Sequence, residues 1–260
     1  MDVRRAGLTL AVAAGLVRSA AGAAPAAIPE PAGFRETWLR DRLELGVRFS
    51  GVFLLDSDRW DPATGKGLVG TIGHLDEDQT AMPYNVSIAY FPVPRFGLVA
   101  RWERMEAAAV THTEDHHVDG TYRAQGASLL LAGRWPLACG LVPYAEAGLH
   151  FPQVDFAEED WWRLGYSSPA AYAASDGAPN HGHVRHMDTW EKDSVCFAAS
   201  AGASWFFNGR WGLDANVRYV GVDGVSHHYS VDAGRRVNDY GSRTVPLSYV
   251  AVGAGAVYRF

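Results

Sequence analysis

His228-Tyr229-Ser230 is the stretch of this chain best suited to making a nucleophile. An imidazole near a hydroxyl can take its proton if the fold brings the two within hydrogen-bond reach, and an acid must then orient the imidazole. Asp232 and Asp239 are the acids close in sequence. A second candidate chemistry is metal binding. His181, His183 and His186 put three imidazoles into six residues, and His112, His116 and His117 lie in another polar stretch. Zinc or copper needs several nitrogen or sulfur ligands, each held in place by further hydrogen bonds. His-x-His-x-x-His in a loop with Gly and Pro fits that need only loosely, so a solvated polar loop with no metal is the expected reading. The third set is charged. Glu44, Arg48, Arg101, Glu103, Arg134, Glu146, His150, Asp214, Arg218 and Arg259, with Asn216, all fall on one parity of otherwise apolar alternating runs. No phosphate loop, GxSxG or HExxH motif is present.

The alternating runs are what must position these groups. From Val245 to Phe260, every second residue back from the end is apolar or aromatic: Phe260, Tyr258, Ala256, Ala254, Val252 and Val250. The intervening set, Arg259, Val257, Gly255, Gly253, Ala251 and Tyr249, is small or polar-tipped. Period two over this length predicts a strand whose two faces meet different surroundings. The same pattern predicts strands over residues 43–55, 84–93, 96–105, 122–135, 142–151, 195–207 and 210–222. Connections between them alternate long and short, and Asn208-Gly209 is a hairpin turn signal. Eight strands with short turns at one end and long loops at the other predict an all-β fold. The expected architecture is an antiparallel up-and-down transmembrane β-barrel, with short periplasmic turns and long outer loops.

Composition agrees. A mean hydropathy of −0.11 and the absence of a long apolar run past the amino terminus exclude helical spans, while barrel strands escape such measures because lumen residues dilute the lipid-facing ones. Nine Trp in 260 residues suit interfacial girdles. The net charge of −6, with no basic block, argues against nucleic-acid binding. Residues 1–23 read as a secretory signal: Arg4 and Arg5, an apolar core, then Ala21-Gly22-Ala23. Residues 24–40 read as a Pro- and Ala-rich periplasmic lead-in, with a helical turn over 34–40, and residues 41–260 as the barrel. Cys139 and Cys196 fall at opposite ends of the wall, too far apart to bridge.

The closing strand, with Tyr258 and a terminal Phe260, resembles the assembly signal of bacterial outer-membrane barrels. The whole pattern resembles the small outer-membrane β-barrel superfamily of OmpA- and OmpW-like transmembrane domains. That resemblance implies export through the periplasm to the outer membrane of a Gram-negative-type bacterium. It implies a monomer whose partners are outer-membrane lipids, lipopolysaccharide and the barrel-assembly machinery, with no cofactor. The inward charges are expected to form a salt-bridge plug, since eight strands leave an interior that side chains fill and a buried charge must be paired. The function expected is non-enzymatic: envelope structure, surface contact or small-ligand passage. Trp161, Trp162, Tyr166, Tyr172 and Trp190 are expected at the outer lipid interface. The alternative for them is a mouth for small apolar ligands, as the OmpW-like resemblance implies. The alternative function is lipid A modification, because His228 and Ser230 resemble the His-x-Ser element of lipid A 3-O-deacylase barrels. Here no Asn follows the serine and no Glu lies downstream.

Overall fold

The computed structural model describes residues 41–56, 72–77, 83–111 and 117–260. The expected signal and lead-in, together with His112 and His116, lie outside these residues. Strands β1 (Leu43–Leu54), β3 (Tyr84–Val93), β4 (Phe96–Thr111), β5 (Val118–Arg134), β6 (Leu141–Glu158), β8 (Cys196–Phe206), β9 (Trp211–Val220) and β12 (Tyr249–Arg259) form the wall. Each pairs antiparallel with its neighbours in the order β1-β3-β4-β5-β6-β8-β9-β12, and β12 returns to β1 through Glu44↔Arg259 to Leu54↔Tyr249. The ring is closed and has eight strands. No helix among the described residues is long and apolar enough to cross a membrane.

Alternation decides which face meets what. Val47, Phe49, Ile88, Leu98, Leu131, Leu149, Phe197, Leu213 and Val252 point outward and are exposed, while Arg48, Ser50, Ser87, Arg101, Ser200, Asp214 and Arg218 point inward and are buried. An apolar girdle around a polar interior is the reverse of a water-soluble protein, and it suits a wall surrounded by hydrocarbon. The inward glycines make room for the charged chains. A Cβ at Gly46 would stand 2.8 Å from Ser87 Oγ and 2.9 Å from Arg48 Nη1. At the short end, Asn208 Oδ1 accepts from the N–H groups of Arg210 (3.1 Å) and Trp211 (2.6 Å), and Gly209 takes φ +77°, which together make the tight turn.

Four further strands lie in what the pattern assigns to outer loops, and these correct the sequence reading. β2 (Ile72–Glu77) pairs with the far end of β4. β7 (Val184–Glu191), β10 (Asp223–Asp232) and β11 (Arg235–Pro246) make a separate sheet in the order β11-β10-β7. Residues 223–244, expected to be a loop, are therefore mostly a hairpin, with register shifts after His228 and Ser230. β4, β5 and β6 also run several residues past their expected ends, pairing as far as Val110↔Val118 and Gly120↔Glu158. Two short helices, α1 (Asp160–Arg163) and α2 (Pro169–Ala173), occupy the third long connection.

The register makes a sharp distinction between adjacent residues. A Cβ on Gly255 would overlap the Val47 carbonyl and approach the Arg48 Cα to 2.7 Å, whereas Ala254 next to it is exposed on the lipid side. Gly255→Val should therefore abolish the folded, heat-modifiable band on electrophoresis after refolding into detergent or lipid. Ala254→Val should leave that band at normal yield. The opposite ranking would show that the faces of β12 are assigned the wrong way round.

Candidate functional site

The lumen charges are gathered into tiers by strand register. At the end with the short turns, Glu44 on β1 accepts from Arg259 Nε (2.9 Å) and is paired with Arg134, whose Nε also donates to the Pro94 carbonyl (2.8 Å). The Arg134 guanidinium lies 3.6 Å from the centre of the Phe91 ring, and that of Arg259 lies 3.7 Å from Phe206. Planar guanidinium groups stack on rings in this way while keeping their in-plane hydrogen bonds. A cavity of about 30 Å³ sits just inside, lined by Glu44, Arg48, Ser87, Arg134, Tyr144 and Glu146, with room for a water or two.

The second tier is two ion pairs. Arg48 Nε donates to Asp214 (2.5 Å), which also accepts from Ser204 Oγ (2.6 Å) and the Tyr144 hydroxyl (3.0 Å). Arg101 pairs with Glu146, which accepts from Ser200 Oγ (2.6 Å). Above them, Glu103 sits 2.7 Å from Arg218 Nε and accepts from the Tyr249 hydroxyl (3.1 Å) and Ser128 Oγ (3.2 Å). Ser128 in turn meets His150 Nδ1 at 2.8 Å. Serine and tyrosine hydroxyls thus fill the carboxylate lone pairs that the arginines leave open, as a buried ion pair requires. The sequence reading missed Tyr144, Ser200, Ser204 and Tyr249. Their inward parity beside a charged neighbour was the available signal.

Outward of Glu103 the interior turns apolar. Leu54, Leu75, Met105, Ala198, Val220, Val222 and Leu247 close over the charges, all buried. The β7-β10-β11 sheet lies on this seal and is tied to the wall through Tyr122 on β5. The Tyr122 hydroxyl stands 2.9 Å from Ser226 Oγ and donates to Met187 Sδ (3.3 Å), and Thr189 Oγ1 meets Ser226 at 3.0 Å. Trp161 and Trp162, expected at the lipid interface, are buried in this cap instead, Trp162 between Phe156 (6.1 Å) and His228 (5.3 Å). Tyr166 and Tyr172 pack on each other, and only Trp190 of that set is exposed.

The other sequence candidates are not assembled into sites. His228 and Ser230 share the buried face of β10, but neither ring nitrogen of His228 and not the Ser230 hydroxyl has a hydrogen-bond partner. Asp239 pairs with His227 (3.3 Å) and Arg236 (3.4 Å), not with His228, and Asp232 is exposed at the strand end. The pair therefore has neither the orienting acid nor the access that acyl-chain hydrolysis requires. His181 and His183 stack at 6.0 Å, while His186 turns to Glu158 (3.7 Å). Among the described residues no three His, Cys, Asp or Glu side chains gather to hold a metal. Cys139 and Cys196 are both free thiols.

Two measurements follow from this geometry. Removing Glu103 leaves Arg218 buried without its carboxylate, so Glu103→Ala should cost about 3–5 kcal/mol, and Glu103→Leu with Arg218→Met should recover most of it. Urea unfolding in lipid vesicles reads both, and a double variant as unstable as the single would contradict the pairing. The second concerns His228, whose ring packs on Tyr240 (4.4 Å) from β11 and Trp162 from α1, with Arg185 across on β7. Burial, reinforced by Arg185 and His227, pushes its pKa down to about 4. The folded cap thus binds fewer protons than the unfolded one between the ordinary value and about 4. Its contribution to stability is complete above about pH 6.5, falls as pH drops, and levels off below about 4, by at most about 3 kcal/mol. Glu158, raised by burial, works in the opposite direction and is common to both proteins. Hydrogen exchange of β10 should therefore lose protection from pH 7 to 4 in the parent and lose less in His228→Phe. Equal losses would contradict this.

No family model and no curated protein matches the chain. Solved structures do. The crystal structure of the outer membrane protein OprG from Pseudomonas aeruginosa superposes with TM-score 0.57 at 13% identity, over 85% of this chain and 97% of that one. The solid-state NMR structure of outer membrane protein AlkL in DMPC lipid bilayers gives TM-score 0.53 at 16% identity, over 90% of this chain and 95% of that one. Likeness at these identities concerns the backbone and says nothing of ligands. With the ring closed, the wall apolar outside and the ends sorted into short turns and long connections, the chain has the fold of the small eight-stranded outer-membrane β-barrels.

Proposed function

We propose that this protein is a non-enzymatic barrel of the outer membrane of a Gram-negative-type bacterium, exported through the periplasm, with a closed lumen. Its role on this reading is envelope structure and surface contact. The observation that carries it is the double closure of the interior. Tiers of paired charges run from Glu44 to Glu103, and an apolar layer with a sheet over it lies beyond them. An ion crossing this path would have to break ion pairs whose partners are almost wholly buried and then cross the apolar layer around Leu54, Met105 and Val220. Small-ligand passage through the lumen has no route in this conformation. The outer-membrane likenesses to OprG and AlkL support the location.

The lipid A-modifying alternative gains nothing from the site. Its serine is fully buried and its histidine has no carboxylate partner among the described residues. Surface contact has a physical basis in the exposed side of the cap sheet. There Tyr229 is flanked by His186 (5.6 Å) and His227 (5.8 Å), lies under the Arg236 guanidinium (3.9 Å), and donates its hydroxyl to Asp188 (3.2 Å). Reconstitution into planar bilayers should give no stable single-channel conductance at neutral pH. Large, long-lived openings would overturn the closed-lumen reading.

A further inference from the structure

Among the described residues, the side-chain charges at the periplasmic edge of the wall do not balance. Arg42, Arg95, Arg134, Arg210 and Arg259 stand there against Asp41 and Glu44. Glu44 is already engaged by Arg134 and Arg259. The side chains of Arg42, Arg95 and Arg210 meet no carboxylate among the described residues, and Arg95 and Arg210 are exposed. At the outer end most cations do have one: Arg104 and Arg123 share Glu106, Arg163 has Asp160, Lys192 has Asp223 and Arg236 has Asp239.

The three arginines occupy three successive places along this edge, spread over six of the eight wall strands. Arg42 precedes β1, Arg95 lies in the β3–β4 turn and Arg210 in the β8–β9 turn. In the ring, β4, β3, β1, β12, β9 and β8 are consecutive neighbours, so all three lie on one continuous arc. The β5–β6 turn on the remaining side, Pro136 to Gly140, carries no charge. Each exposed arginine is followed by an outward aromatic ring: Phe96 is 64% exposed after Arg95, and Trp211 is 50% exposed after Arg210. Aromatic rings of this kind settle at the depth of lipid headgroups, which puts the neighbouring guanidinium groups beside the phosphates.

We propose that Arg42, Arg95 and Arg210 form a binding arc for the phosphate headgroups of anionic phospholipids at the periplasmic edge of the barrel. A guanidinium offers a phosphate two parallel N–H donors, and an unpaired one at the interface has no competing carboxylate to release first. Lipid is favoured over an acidic protein because Phe96 and Trp211, next in sequence to Arg95 and Arg210, are exposed on the lipid-facing side of the wall. The periplasmic label rests on the proposed outer-membrane location and on the short turns expected to face the periplasm. The chemistry of the arc does not.

The test is native mass spectrometry of the full chain taken from nanodiscs of equal phosphatidylglycerol and phosphatidylcholine with matched acyl chains. Both leaflets then have the same composition, so an error in orientation cannot change the result. The parent should retain phosphatidylglycerol over phosphatidylcholine by roughly fivefold or more, as expected when several cations each favour an anionic surface. The preference should fall in high salt. Arg42→Gln/Arg95→Gln/Arg210→Gln should retain the two lipids equally, whereas Arg163→Gln/Arg236→Gln at the other edge should behave as the parent. If the triple variant does not refold, each single variant should still lower the preference in part. Equal retention by the parent, a preference that survives in the triple variant or in all three singles, or its loss in the outer-edge control would each overturn the proposal.

Discussion

A guanidinium enclosed by eight strands can find a counter-charge only on another strand of the same wall. That constraint organises the interior. Arg48 on β1 reaches Asp214 on β9, Arg101 on β4 reaches Glu146 on β6, and Arg218 on β9 reaches Glu103 on β4. Each link ties strands that are not neighbours in the hydrogen-bonded ring, so the pairs brace the barrel across its width while the backbone ladders brace it along its circumference. The cost of burying six charges is offset only while every pair is intact, which makes the interior a closed, mutually dependent set. Glycines at inward positions, such as Gly46 and Gly253, belong to the same constraint. A side chain there would take the space of Arg48 or Ser50.

The wall strands were legible in the sequence because hydrocarbon outside and polar groups inside impose opposite preferences on successive residues. The pattern fails where the surroundings change. In β4, Leu98, Ala100 and Trp102 face lipid and Arg101 and Glu103 face in, but further along Arg104 and Glu106 face out while Met105, Ala107 and Ala109 are buried. Polar and apolar exchange faces as the strand leaves the membrane. A reading tied to one phase therefore ends the strand near Met105, although its pairing runs to Thr111. β10 is hidden for a related reason. Its buried face is Ser226, His228 and Ser230, and its half-exposed face includes Val225, Tyr229 and Val231. Trp161 and Trp162 misled because aromatic residues suit a lipid interface and a protein core equally well, and only the packing of α1 against the cap sheet separates the two.

The same comparison explains why the lumen charges could be picked out while their order could not. Parity shows that Arg48 and Asp214 point inward, but which carboxylate meets which arginine depends on the stagger between distant strands. The two halves of the interior also have different chemistry. The half next to the short turns holds ion pairs and a small cavity, and the half next to the long connections holds Leu54, Ala198, Val220 and Leu247 beneath a sheet. Water that enters from the short-turn side meets polar partners as far as Glu103 and then meets the apolar layer that lies under the Tyr122–Ser226 cluster. The cap sheet covers the apolar layer, and the side of that sheet carrying Tyr229 is turned away from it.

Closure of the lumen is the claim on which the functional account stands, and the distribution of water inside the barrel tests it most directly. In lipid bilayers, solid-state NMR with polarisation transferred from water would read the contact residue by residue. The account predicts rapid transfer to Ser87 and Ser204 beside the cavity, and transfer to Leu54, Ala198 and Val220 no faster than to lipid-buried Leu131 and Val252. Equally rapid transfer along the whole interior, from Ser87 through Val220, would mean a continuous column of water and would contradict it.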